Sequence, residues 1–168
     1  FVEDVGGTLR AFEESVKART AKQGPDNPAT LNALKTFGDF HQDAGQHVEA
    51  AQVYRNLLAI LRKQRPLDET HVVATLAELG YVLLQTHQAT EAEPVLRECL
   101  AFREKAAAGD WETFDTQSLL GGSLLEQKKY AEAEAFLVTG YEGMKQRERA
   151  IPAQNQGRLA NTADRVVQ

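Results

Sequence analysis

The sequence predicts an all-α fold, an α-solenoid of stacked antiparallel helix pairs, on three observations. One phrase recurs as EAAQVYRNLL (49–58), EAEPVLRECL (91–100) and EAEAFLVTGY (132–141), with starts 42 and then 41 residues apart. A series of small residues, Gly38, Gly80, Gly121 and Ala163, keeps the same step, each behind an apolar stretch such as LNALKTFG or ATLAELG. The composition is that of helices: 42% hydrophobic but only 7% aromatic, rich in Ala, Leu, Glu and Gln, and poor in the β-branched runs of a sheet protein. A single core has no reason to repeat at this spacing. A row of units does, because a lone helical hairpin cannot cover its own apolar face and neighbouring copies can.

Each unit contains two helical segments. In the second segment of the first unit, Ala50, Val53, Tyr54, Leu57, Leu58 and Leu61 fall on one face of a 3.6-period helix. The same face reads Ala92, Val95, Leu96, Cys99 and Leu100, and then Ala133, Phe136, Leu137, Gly140, Tyr141 and Met144. Pro94 is expected in the first turn of its helix, where a missing N–H breaks no bond. The polar turns DAGQH, QTHQA and EQKKY separate the two helices of each unit, and TAKQGPDNP, KQRPLDE and KAAAGDWE separate the units, their Pro and Gly ending one helix before the next. The expected division is 1–23 as the second helix of a preceding unit, 28–65, 68–108 and 110–149 as three complete units, and 152–168 as the first helix of another. Upstream, GTLRAFEESV repeats the second phrase with Phe12 in the place of Tyr54. Both ends are expected to be cut within a unit, and the opening Phe1 points to a piece of a larger soluble protein.

Small residues have a defined job in such a row. At Gly38, Gly80, Gly121 and Ala163 a side chain larger than methyl would hold the two helices of a pair apart, and Ala50, Ala92 and Ala133 are expected to allow close approach from the other side. The formal net charge is −5, with no Lys/Arg cluster able to follow a phosphate backbone, which argues against nucleic acid as partner. Apolar runs such as YVLL (81–84) are too short to cross a bilayer. One cysteine, Cys99, allows no intrachain disulfide and fits a reducing compartment, so a cytoplasmic location is expected. Nothing in FVEDVGGTLR resembles a signal peptide.

These residues resemble the tetratricopeptide repeat. The pattern of large apolar and small positions in that family reads here as Leu76, Leu79, Gly80, Leu83, Ala92 and Leu96. The first unit gives Leu34, Phe37, Gly38, His41, Ala50 and Tyr54, and the third gives Gln117, Leu120, Gly121, Leu124, Ala133 and Leu137. His41 and Gln117 depart from the pattern. The 42-residue step and the entry GPDNPATL are similar to the longer variety found in kinesin light chains and many bacterial proteins. DWETFDTQSLLGGSLLEQKKYAEAEAFL is similar to units fused behind bacterial serine/threonine protein kinase domains, although the chain contains no HRD and no DFG.

The resemblance implies a right-handed superhelix whose first helices line a concave peptide-binding groove. The groove positions of the family map onto Asn32, Lys35, Asp39, Gln42 and Asp43, then onto Ala74, Ala77, Tyr81, Leu84 and Gln85, then onto Asp115, Ser118, Gly122, Leu125 and Glu126. Gly157, Ala160, Asp164 and Val167 continue the wall. Lys35 matches the Lys with which some relatives hold a peptide carboxylate, but Asp39 replaces their Asn. Lys35, Ala77 and Ser118 stand where kinesin light chains place Asn. Asp39, Asp43, Asp115, Glu126 and Asp164 against a single Lys35 imply a preference for extended peptides bearing Lys or Arg, anchored by an apolar residue on Tyr81 and Leu84. The alternative is that these carboxylates form an ordinary solvated helix face.

The function implied is a protein–protein interaction scaffold with no catalysis, no cofactor and no metal. None of His41, His47, His71 and His87 forms the i, i+4 pair that two ligands on one helix need. The alternatives are a regulatory or substrate-docking arm of a larger bacterial serine/threonine kinase, or a self-association module. The last arises because residues 158–168 form a first helix whose face, with Leu159, Val166 and Val167, lacks a second helix; homodimerisation through that helix, or fraying of it, is expected.

Overall fold

A computed structural model of the protein describes residues 5–166. The first four residues of the expected segment 1–23, and the groove position Val167 with Gln168, lie outside the described residues. Those described form eight α-helices and no strand: α1 Val5–Gln23, α2 Pro28–Asp43, α3 His47–Leu61, α4 Glu69–Gln85, α5 Ala89–Ala107, α6 Trp111–Glu126, α7 Tyr130–Gln146 and α8 Gln156–Val166. Two short 3-10 turns, Glu148–Ala150 and Ala153–Asn155, lead into α8. The fold class is the α-solenoid that the repeat predicts.

Local chemistry sets the ends of the helices. Asn27 caps α2 by accepting the N–H of Ala29 at 2.9 Å, and Pro28 takes the first helical position, where its missing donor is no loss. Asp68 accepts the N–H of His71 at 3.1 Å before α4. That backbone donor, followed by the His71 ring, holds the Asp68 carboxyl below its usual range. Pro94 does not sit in a first turn: α5 begins at Ala89, so the proline lies inside the helix. The ring is on an exposed position, and the carbonyl to which its missing N–H would have donated belongs to the exposed Thr90, where the lost bond costs less than it would in the core.

The three short turns share one geometry. Gly45 (φ 73°), His87 (φ 55°) and Lys128 (φ 62°) occupy the left-handed region at the same place in each turn. Around them Gln46, Gln88 and Lys129 donate back to the carbonyls of His41, Leu83 and Leu124 at 2.8, 2.8 and 2.9 Å. This is the helix-ending bond pattern that normally selects glycine; two of the three turns make it without one.

The chain divides into two compact units, Phe1–Val82 and Leu83–Gln168, with the boundary inside α4. In the first unit α1 packs on α2, and α2 pairs with α3. In the second, α6 pairs with α7 and also touches α5 and α8, while α8 packs on α7. The face read from the repeat is the core: Ala50, Tyr54, Leu61, Ala92, Leu96, Cys99 and Met144 are fully buried. Gly38 and Gly121 do what their positions require. A Cβ on Gly38 would stand 2.5 Å from a ring carbon of Tyr54, and one on Gly121 would stand 2.8 Å from Cγ of Leu137. The α6/α7 pair is close at a second point, where a Cβ on Gly140 would meet the backbone nitrogen of Ser118 at 2.7 Å. Cys99 is buried, and desolvation pushes its thiol above the ordinary range, which suits a small hydrophobe and not a nucleophile.

Candidate functional site

The groove positions expected on α2 form a braced polar array. Lys35 Nζ donates to both oxygens of Asp39 at 2.9 and 2.7 Å, one helical turn away. The hydroxyl of Tyr54 reaches over from α3 to donate to the same carboxylate at 2.8 Å and to Gln42 Oε1 at 3.3 Å. Gln42 in turn donates to Glu78 Oε2 at 3.1 Å. Tyr54 is fully buried, and desolvation, followed by the charge of Asp39, pushes its hydroxyl far above the ordinary range. It therefore remains a donor at any physiological pH. Asn32 and Asp43 are exposed, and Tyr81 is half-buried. His41, which departs from the family pattern, is buried with Nδ1 2.7 Å from Gln46 Oε1 and its ring edge-on to Phe37. The contact keeps both its polar and its apolar side occupied.

In the second unit the structure brings the α6 positions against two arginines of α8. Asp115 is buried, and its Oδ2 lies 2.9 Å from an Arg158 nitrogen that is itself largely covered. Arg165 donates to Ser118 Oγ at 3.1 Å. Its Cδ lies over Gly122, at 3.1 Å from where a Cβ there would stand, and Leu84 lines the same spot. Removing one partner of a buried pair leaves an uncompensated charge, so Asp115 and Arg158 depend on each other. Glu126 is exposed, 3.5 Å from the solvent-exposed ring of His87. Gln85, Ala160 and Asp164 are exposed as well.

The carboxylates expected as a free acidic wall are thus unequal. Asp39 is neutralised by Lys35 and Asp115 by Arg158, while Asp43, Glu126 and Asp164 face solvent. Sequence reasoning did not find Tyr54 Oη, Glu78, Arg158 or Arg165 among the groove residues. A signal existed for the arginines: Arg158 and Arg165 are seven apart, two turns of one helix face.

A second charged cluster joins α5 to the start of α7. Glu93 accepts from Lys129 Nζ at 2.6 Å, from Gln127 Nε2 at 2.9 Å and from Arg97, which also reaches Glu132 at 2.9 Å. Lys129, then Gln127 and Arg97, hold the Glu93 carboxyl down to about 2. At the far end of the α6/α7 pair Arg147 lies over the ring of Phe114, 4.3 Å from its centroid, and donates to the Gly109 carbonyl. These clusters tie consecutive helices together. Among the described residues no group of three His, Cys, Asp or Glu is placed to hold a metal ion, and no helix is long and apolar enough to cross a membrane.

The Tetratricopeptide repeat family pattern matches residues 72–146. Among solved structures, a putative kinesin light chain of Podosopora anserina with nearly identical TPR-like repeats is similar at a TM-score of 0.69 and 20% identity, over 86% of this chain and 69% of that one. BtubC (BKLC) from P. vanneervenii is similar at 0.67 and 14% identity, over 95% of this chain and 63% of that one. A MamA RS-1 double mutant is similar at 0.51 and 15% identity, over 99% and 95%. At these identities the likeness is one of fold. No curated protein sequence matches the chain.

Proposed function

We propose that the chain is a protein-interaction scaffold, without catalysis of its own, that holds peptide segments or partner domains on the first helices of its pairs. Tetratricopeptide repeats in general mediate protein–protein interaction, and the family pattern covers 72–146. The observation that carries the reading is preorganisation. Lys35 is already held by Asp39, Asp39 and Gln42 by Tyr54, Gln42 also by Glu78, and Asp115 and Ser118 by Arg158 and Arg165. Each long side chain immobilised only on binding would cost about 0.5–1.5 kcal/mol, so a surface ordered beforehand binds with less loss. Asn32, Lys35, Asp43, Tyr81, Gln85 and Glu126 remain accessible to a ligand.

The preference for extended peptides bearing Lys or Arg then rests on the expected acids that are exposed, Asp43 in the first unit and Glu126 and Asp164 in the second, with apolar anchoring at Tyr81 in the first and Leu84 in the second. A peptide-library selection on the protein and on an Asp43→Lys, Glu126→Lys variant tests it. Enrichment of basic sequences on the parent and their loss on the variant is the expected result; the same basic motif on both would remove Asp43 and Glu126 from the site. An arm that docks substrates for a larger bacterial serine/threonine kinase would use the same helices, and its own test is co-purification of such a kinase domain with the chain.

A further inference from the structure

The carboxylate of Asp39 is aimed from one side and covered from another. Its aim is set by Tyr54, whose hydroxyl crosses from α3 and donates to Oδ1 at 2.8 Å while the ring stays fully buried on Gly38. Its cover is Lys35, which donates to Oδ1 at 2.9 Å and to Oδ2 at 2.7 Å. An ionised carboxylate has about four acceptor sites, and these three bonds leave one, on Oδ2. A cation that took it would stand beside the Lys35 ammonium. Gln42 is fixed in the same way, since Tyr54 holds its Oε1 and Glu78 its Nε2; one N–H and one lone pair remain to it. Along α2 the surface therefore offers single donors and acceptors at Lys35, Asp39 and Gln42. The uncovered negative charge on this helix is at Asp43, one turn further on and exposed. In the second unit Asp115 of α6 is likewise covered by a cation of the chain itself, Arg158 at 2.9 Å.

We propose that Lys35 is the specificity-determining residue of the α2 surface: it serves Asp39 as a built-in cation, so that a bound peptide passes Asp39 with an uncharged residue and sets its Lys or Arg on Asp43. The proposal deepens the peptide-binding reading above and rests on it. Side chains one helical turn apart, as on Asp39 and Asp43, are separated by about 6 Å, which an extended peptide spans in about two residues. The segment selected here carries an isolated Lys or Arg with an uncharged residue two positions away, and not a basic run. Without Lys35 the preference changes, because Tyr54 still aims the carboxylate and nothing covers it. A second Lys or Arg of the peptide then has a seat.

The test uses two peptides of Gly and Ser, one with a single central Lys and one with three Lys at alternate positions. Each is titrated into isotope-labelled protein and followed by the amide shifts of α2. The three-Lys peptide should bind Lys35→Met about fivefold more tightly than the parent, the upper end of what a partly exposed ion pair supplies, with the largest new shifts at Asp39. The single-Lys peptide should gain far less, since it fills one seat only. Lys35→Gln should act as Lys35→Met does, which separates the lost charge from added apolar surface. The gain should vanish when Asp39→Asn is added to Lys35→Met. Lys63→Met, the same loss of charge on an exposed side chain of the same unit, should not produce it. Equal affinity of the parent and Lys35→Met, or an equal gain in Lys63→Met, would overturn the proposal and leave the peptide reading standing. No shift on α2 with either peptide on any of these proteins would overturn that reading, and the proposal with it.

Discussion

Thr30 and Tyr54 show how much a single polar atom weighs in this interior. Tyr54 buries its ring on Gly38 and still finds two acceptors for its hydroxyl. Thr30 is fully buried with no partner for Oγ1. A buried hydroxyl without a hydrogen bond costs roughly 1–3 kcal/mol, and a methyl of the same shape does not. Thr30→Val should therefore raise the unfolding free energy by about 1 kcal/mol, visible as a higher urea midpoint at unchanged slope. An unchanged or lower midpoint would mean that the hydroxyl finds a partner in solution.

At the scale of elements, the left-handed turns and the Glu93 cluster invite substitutions with opposite signs. Lys128 adopts φ 62° with an exposed side chain. A left-handed residue with a Cβ costs roughly 1–2 kcal/mol, partly offset by the greater freedom of glycine in the unfolded chain. Lys128→Gly should stabilise by about 0.5–1 kcal/mol in thermal unfolding. Glu93 works the other way. Its carboxyl is held from 4.5 down to about 2 in the folded chain, so the folded state binds this proton less readily than the unfolded one. The stability it contributes is present above pH about 4.5 and is lost as the pH falls from there toward about 2. Glu93→Gln should flatten that part of a stability–pH curve; an unaltered acid limb would show that other carboxylates carry it.

The same elements show what a sequence can and cannot disclose. The second-helix faces were legible because burial forces a 3.6-residue period on Ala50, Tyr54 and Leu61, and the small residues because Gly38 and Gly121 admit nothing larger. The start of α5 was not: Pro94 reads as a beginning, yet a proline on a solvated face lets the helix run through it. The polar positions of α2 and α6 could be placed, but not their partners. Whether Asp115 is a free acid depends on Arg158, forty-three residues away, and a local pattern holds no record of that distance.

For the molecule as a whole, contacts run between neighbouring helices, so stability is expected to be summed from local terms. Gly121→Leu drives a side chain into Leu137, where a Cβ alone would already meet Cγ at 2.8 Å. Overpacking of this kind destabilises by about 1–3 kcal/mol. Amide exchange should quicken in α6, α7 and α8 while α1 to α3 keep their protection. Uniform loss across all helices would instead mark the protein as a single cooperative body.

The contact of Tyr54 with Gly38, and of Leu137 with Gly121, each across sixteen positions, also bears on how such a gene can change. Unequal recombination that inserts or deletes one whole period keeps a glycine such as Gly38 or Gly121 beneath its large side chain. A change of length inside the sixteen positions would set the ring or the leucine against backbone, whereas one in a connection between pairs leaves both contacts in place. Gain or loss of one whole period of 41 or 42 residues therefore preserves these contacts, while the exposed residues between them are free to diverge toward new partners.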